Sequence, residues 1–266
     1  MGFWHPVSVM PDNPRPQVPA ADQTLRILSL LARQPGPMAA QSIATTLAIP
    51  RSSVYHLLAT LEQHGYVVHL PGDRRWGLGT AAFELGGGYA RQQPLARLGR
   101  PLLAGLSDRV GESAHLAVLA GRDVLYIVEE RAPRRPALVT DVGVRLPAHL
   151  TATGRAMLAA LPREQVRALF PDATALTQRH GAGPATPREL REVLRLVRAD
   201  GHASENGEVT PGFRSVAAAV LDHAGWPAAA VAITWPADGP PRDAAALASA
   251  ASGTAAELAR RIGRPA

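Results

Sequence analysis

Gln41-Ser42-Ile43-Ala44, then Ala48-Ile49-Pro50, then Arg51-Ser52-Ser53-Val54-Tyr55-His56-Leu57-Leu58: this run, inside residues 35–77, decides the fold. It predicts a short helix, a tight turn and a second helix. At 100° per residue, Val54, Leu57, Leu58 and Leu61 fall on one arc of the second helix, whereas Arg51, Ser52, Tyr55, His56, Ala59 and Gln63 fall on the other. The first arc is a core face. The second carries a guanidinium, hydroxyls, a phenol and an imidazole, groups suited to base edges and phosphates, and it lacks the Glu/Lys ladder of an ordinary solvated helix. A helix of this kind fits a major groove, with Ser53 and, from the preceding helix, Gln41 as further candidate DNA contacts.

The neighbours complete the unit. Asp22 to Gln34 predicts a first helix with Leu25, Leu28 and Leu31 at three-residue steps, against which Ile43, Ala44 and Leu47 are expected to pack. After Gly65 the pattern becomes Tyr66-Val67-Val68-His69-Leu70, a Pro71-Gly72-Asp73 turn, and Arg74-Arg75-Trp76-Gly77-Leu78. That is a β-hairpin with Arg74 and Arg75 at its tip, where a wing would meet phosphate or a minor groove.

Composition sets limits around this reading. The 266 residues suffice for two domains. All 28 basic side chains are arginine, and the net charge of +6 is compatible with nucleic acid without demanding it. The absence of cysteine removes disulfides, thiolate nucleophiles and cysteine-ligated zinc, and fits a cytoplasmic protein. No apolar run approaches the roughly 18 residues of a membrane span. Met1 to Ala20 is proline-rich, lacks the basic start and apolar stretch of a signal peptide, and reads as a disordered arm.

A connector occupies residues 80–110. Thr80 to Gln92 has helical composition softened by Gly86-Gly87-Gly88, and a second helix starts near Pro94, with Leu95, Leu98, Leu102 and Leu106 in one stripe. The softened helix either transmits motion or merely tolerates a kink; the residues fit both. From residue 111 to 263 short strands and amphipathic helices alternate irregularly. Ala114–Ala120 and Val124–Glu130 form a hairpin, Ala137–Thr140 a short strand, Ala152–Ala160 and Pro187–Ala199 helices, Ser215–Leu221 and Ala228–Thr234 two apolar strands, and Arg242–Ile262 a closing helix. This is an α+β domain with a largely antiparallel sheet. Thr151 is expected to cap the helix it precedes.

Three motifs in order carry a resemblance. Leu47-Ala48-Ile49-Pro50-Arg51-Ser52-Ser53-Val54-Tyr55-His56-Leu57-Leu58 resembles the recognition segment of IclR-type transcriptional regulators. Gly143-Val144-Arg145-Leu146-Pro147-Ala148-His149, running into Thr151-Ala152-Thr153-Gly154-Arg155-Ala156, resembles that family's first effector-domain motif. The stretch Gly201 to Glu208, continued by Pro211-Gly212-Phe213-Arg214-Ser215-Val216-Ala217-Ala218, resembles its second. The resemblance covers roughly residues 21 to 260. It implies a winged helix-turn-helix, a linker helix, a GAF-like effector domain, dimers or dimers of dimers on a double-stranded operator, and control by a small molecule. It also implies an effector pocket: the amides of Ala152 and Thr153 for an anionic group, Glu205 at an acidic position, Ser215 where a cysteine is usual, Phe213 two residues before it, Ala232 and Thr234 at two serine positions, and Leu138 as an apolar wall. His56 stands where the family usually has Arg.

Other chemistry finds little footing. No G-x-S-x-G, H-E-x-x-H, phosphate loop or dinucleotide fingerprint occurs, so neither catalysis nor a cofactor is expected. His115, His149, Glu205 and Glu208 lack the helical spacing of a strong metal site. His115 fits a core position, and His149 fits either a pocket or a structural role. The alternative to a regulator is a small-molecule-processing enzyme with an appended nucleic-acid-binding module.

Overall fold

The computed structural model describes residues 18–34, 36–70, 72–85, 94–133 and 140–263. Leu138, most of the strand expected at Ala137–Thr140, the glycines 86–88 and the arm up to residue 17 lie outside the described residues. Two compact units divide at Gln92/Gln93.

The first unit contains α1 (Pro19–Ala32), β1 (Met38–Ala39), α2 (Ala40–Leu47), α3 (Arg51–Gln63), β2 (Val67–Leu70) and β3 (Arg75–Leu78). Its sheet is antiparallel in the order β1-β3-β2. Ile27, Ile43, Val54 and Leu58 meet in a fully buried centre. Leu25 does not join them as the three-residue spacing suggested: it is 64% exposed, and Ile27 takes the core position with Leu31. Ile27 and Leu31 are four apart and share a helix face, whereas Leu25 is turned about 200° from Ile27. The turn between α2 and α3 closes on Ala48, whose φ of 54° is left-handed, so that the Ile49 amide donates to Ala44 O at 3.1 Å and its side chain enters the core.

The second unit is built on a six-stranded antiparallel sheet in the order β6-β5-β4-β9-β8-β7, from β4 (Ser113–Ala120), β5 (Asp123–Glu130), β6 (Arg145–Pro147), β7 (Ala203–Asn206), β8 (Phe213–Leu221) and β9 (Pro227–Pro236). Strand alternation sorts the side chains to two faces. On one face Leu116, Val231 and Ile233 pack against α4 (Pro94–Val110) and α8 (Ala244–Ile262). Leu103 and Leu106 of α4 are fully buried there, so this helix is part of the unit's core. On the other face Ala117, Tyr126 and Ala217 pack against α5 (Ala152–Ala160), α6 (Arg163–Leu169) and α7 (Pro187–Asp200). Sequence periodicity had not marked β1, β6, β7 or α6, which are short.

Candidate functional site

The loop after β6 turns the chain into α5. Thr151 Oγ1 accepts from the Gly154 amide at 3.0 Å and its carbonyl accepts from the Arg155 amide, which fixes the helix start. The amides of Ala152 and Thr153, the first two of the helix, have no intrahelical acceptor. Gly154 is required by close approach: a Cβ at this position would stand 2.1 Å from Ala148 O.

Cross-strand register brings a polar row to meet this helix end. Glu205 on β7 lies opposite Ser215 on β8, and Ser215 lies opposite Thr234 on β9. Ser215 Oγ donates to Glu205 Oε1 at 2.8 Å and lies 2.9 Å from Thr234 Oγ1. Glu205 Oε2 is buried with no hydrogen-bond partner among the described residues. Burial pushes the Glu205 carboxyl up to about 7; the Ser215 hydroxyl opposes the shift and the charge of Glu208 reinforces it.

Glu208 behaves in the opposite way. Burial would raise it, yet the Arg155 guanidinium and the Asn206 amide outweigh burial and hold it below the usual carboxylate range. Arg155 is buried, and its three nitrogens donate to His149 O (2.9 Å), Ser204 O (2.8 Å) and Glu208 Oε1 (2.9 Å).

Helix end and polar row face one cavity. Of the residues expected there, Ala152, Thr153, Glu205, Phe213, Ser215, Ala232 and Thr234 all line it. Sequence reasoning missed Tyr126, Thr140, Thr151, Val209 and Thr210 as lining residues. Tyr126 Oη lies 3.3 Å from Thr153 Oγ1, and burial raises its phenol well above the ordinary value. Tyr126 lies opposite Ala117 in unbroken register from the hairpin turn, and a β-bulge between Leu116 and Ala117 shifts the pairing only beyond it, so that Leu116 faces Val128. The cavity volume is about 20 Å³, room for about one water molecule.

Two histidines stand apart from it. His149 Nε2 lies 3.0 Å from Thr177 O and its ring meets Phe170 edge-on, a packing position. His115 is fully buried, edge-on to Tyr126 at 5.8 Å, and burial, then the charge of Arg131, lower its imidazole to about 4. It is therefore neutral at ordinary pH. Among the described residues no group of His, Asp and Glu has the arrangement of a metal site.

In the first unit, Gln41, Arg51, Ser52, Tyr55 and His56 are exposed and Ser53 is half-buried, while Val54, Leu58 and Leu61 hold the opposite side of α3 in the core. The Arg51 guanidinium lies 5.6 Å from the centre of the Tyr55 ring, and its Nη2 donates to Tyr55 Oη at 3.4 Å. Arg74 and Arg75 are exposed at the hairpin: Arg74 occupies the turn with φ 50°, and Arg75, the first residue of β3, donates to Pro37 O at 3.3 Å.

Comparison with known proteins follows the same division. Residues 20–71 match the IclR helix-turn-helix domain, and residues 87–259 match the C-terminal domain of the bacterial transcriptional regulator IclR. The chain is 28% identical over 222 residues to the transcriptional repressor IclR of Escherichia coli, covering 83% of this chain and 81% of that one. It is 33% identical over 225 residues to the HTH-type transcriptional regulator BhcR of Paracoccus denitrificans, covering 82% and 77%. In fold it is similar to an IclR transcriptional regulator from Alicyclobacillus acidocaldarius, with a TM-score of 0.79, 24% identity and coverage of 92% and 98%. It is also similar to an IclR homologue from Microbacterium hydrocarbonoxydans complexed with 4-hydroxybenzoate, with a TM-score of 0.74, 20% identity and coverage of 91% and 99%. A winged helix-turn-helix unit followed by an α+β unit with a polar pocket, each matched by its own family model, places this chain in the IclR family of bacterial transcriptional regulators.

Proposed function

We propose that this regulator reads a double-stranded operator through α3 and the β2–β3 wing, and that a small organic acid in the second unit's pocket changes its affinity for that operator. The observation that carries the reading is the pocket itself, in which the free amides at the start of α5 and the Glu205-Ser215-Thr234 row share one cavity. A helix N-terminus attracts an anion through its unpaired N–H groups and dipole. The Glu205 carboxyl at the other end, half-protonated near neutral pH, would be driven to its protonated form by that anion unless the ligand brings a donor to the unpartnered Oε2. The effector class is therefore an organic acid with a hydroxyl or amine remote from its acid group. 4-Hydroxybenzoate, bound by the Microbacterium homologue, has this pattern. With about 20 Å³ available, an acid of several heavy atoms enters as side chains such as Thr140, Val209 and Phe213 move, which couples occupancy to the shape of the unit.

Arg51, Ser52, Tyr55 and His56, with Gln41 and Ser53 beside them, would reach base edges and nearby phosphates, and Arg74 and Arg75 phosphate or the minor groove. One recognition helix reads too few base pairs for genomic specificity, so a homodimer or dimer of dimers on repeated half-sites is the assembly proposed. The protein works by binding rather than turnover, in the cytoplasm where its DNA lies, and repression is the mode favoured by the names of several relatives. No described helix is long and apolar enough to cross a membrane. The test is to sequence fragments retained by the protein from its own genome, then to titrate a retained fragment with hydroxy and amino acids. Sequence-specific retention modulated by an acid recovered unchanged supports the proposal; turnover of the acid without DNA retention refutes it.

A further inference from the structure

The start of α5 does not supply every donor at its end of the pocket. Beside the amides of Ala152 and Thr153, Tyr126 Oη lies 3.3 Å from Thr153 Oγ1, and both side chains line the cavity. Two hydroxyls joined by one hydrogen bond have two protons between them, and that bond uses one. The second proton has no acceptor among the described residues. Glu205 Oε1 accepts from Ser215 and its Oε2 has no partner there. Neither ring nitrogen of His115 takes part in a hydrogen bond, although that ring meets Tyr126 edge-on.

The free proton belongs to the phenol when an anion is present. A phenol is a stronger acid than an aliphatic alcohol, so it makes the stronger hydrogen bond to a negatively charged oxygen. Thr153 Oγ1 then donates to Tyr126 Oη, and the two bonds reinforce each other. Burial, the largest influence on the Tyr126 hydroxyl, keeps it protonated throughout the ordinary pH range. Its position is fixed as well. The Tyr126 amide donates to Val144 O at 3.1 Å, its carbonyl accepts from the Gly143 amide at 2.9 Å, and the His115 ring backs its own at 5.8 Å. A side chain held in this way offers its donor with little further loss of conformational freedom.

We propose that Tyr126 is a specificity-determining residue whose hydroxyl donates to the effector's acid group together with the Ala152 and Thr153 amides, so that the pocket selects a free carboxylate over the corresponding amide; this rests on the reading of the cavity as an organic-acid site. A carboxylate, with two oxygens and about four lone-pair sites, satisfies all three donors. A primary amide turns an N–H group toward donors and leaves it buried without an acceptor.

The test titrates the full chain, by calorimetry, with 4-hydroxybenzoate and with short aliphatic hydroxy acids, each paired with its primary amide. For the acid that binds most tightly, Tyr126→Phe is expected to weaken binding by about tenfold or more, and to weaken the paired amide by a clearly smaller factor. Thr153→Val, which keeps the shape and removes the hydroxyl, should cost the acid less than Tyr126→Phe does. A variant that merely loosened the fold would lower its thermal melt and lose acid and amide affinity alike. With 3-fluorotyrosine incorporated, the resonance that disappears in Tyr126→Phe should shift when the acid is added. Equal losses for acid and amide, undiminished acid affinity in Tyr126→Phe, or a larger loss in Thr153→Val would each overturn the assignment and leave the organic-acid pocket standing. Failure of the unsubstituted protein to bind any of these acids would remove that reading of the pocket and the role of Tyr126 with it.

Discussion

Arg155 Nη2 and Glu208 Oε1 lie 2.9 Å apart, joining the helix that opens the pocket to the turn after the strand that carries Glu205. The guanidinium is 5% exposed and the carboxylate 15%. Removing one partner leaves the other charged and buried. Arg155→Met is expected to destabilise the second unit by about 3–5 kcal/mol, read as a lowered melting transition, while Arg155→Lys, whose donors all sit on one nitrogen and cannot span the three acceptors reached by Nε, Nη1 and Nη2, recovers only part of the loss. A melting temperature unchanged in both variants would contradict the structural role of the pair.

Two carboxyls three residues apart should pull stability in opposite directions with pH. Glu208 is held below its ordinary value of 4.5, so its contribution is present above that value and is lost as the pH falls through the folded-state value. Glu205 is raised from 4.5 to about 7, so the native state holds its proton more tightly and stability declines as pH rises from about 4.5 to 7. Glu205→Gln should match the parent near pH 4 and exceed it above pH 7 by up to about 3 kcal/mol, measured by denaturant unfolding across pH.

The start of α5 is held by a cap and by a tight approach. Thr151→Ala, which removes the acceptor of the Gly154 amide, should cost about 1 kcal/mol. Gly154→Ala places a methyl against backbone Ala148 O and should cost about 1–3 kcal/mol or more. Effector affinity should fall more in the second variant, since displacement of the helix moves the amides of Ala152 and Thr153. Isothermal titration of the acid identified by the operator assay decides this.

On the DNA side, Arg51→Ala, Tyr55→Ala and His56→Ala should each weaken operator binding, by about 1–3 kcal/mol where a base-edge contact is lost. Arg51→Ala also releases Tyr55 from its guanidinium neighbour, so these two losses should not add. Arg74→Ala with Arg75→Ala should reduce affinity on all sequences and flatten its salt dependence. Fluorescence anisotropy on operator and scrambled duplexes at several salt concentrations separates the two behaviours.

Periodic segments were legible in the sequence. The apolar arc of α3 and the amphipathic α7 follow from a repeat of 3.6 residues, and the hairpin of β4 and β5 from two apolar runs flanking Gly121-Arg122-Asp123. β1 with two residues and β6 with three are too short for any period to show, and they exist because neighbouring strands offer them an edge. The polar lining divided in the same manner. Glu205 and Ser215 lie in the quoted motifs and Thr234 came from the wider family resemblance, whereas Tyr126 and Thr140 had neither signal and reach the cavity through tertiary packing. Leu25 shows the limit of spacing alone: an arithmetically regular leucine was displaced from the core by an isoleucine two residues on.

The place of α4 bears on how such proteins exchange parts. Leu103 and Leu106 cover the sheet face beside Leu247 and Leu258, so a fragment beginning at Glu112 would expose apolar surface that the intact unit keeps from water. A chimera joined at Val110 would therefore inherit a foreign lid on a native core, with mismatched side chains at every layer. Joined between Leu85 and Pro94 instead, a borrowed DNA-reading head would leave that core whole. Recombination that trades operator specificity while preserving effector response has its tolerant seam there, ahead of the helix rather than after it.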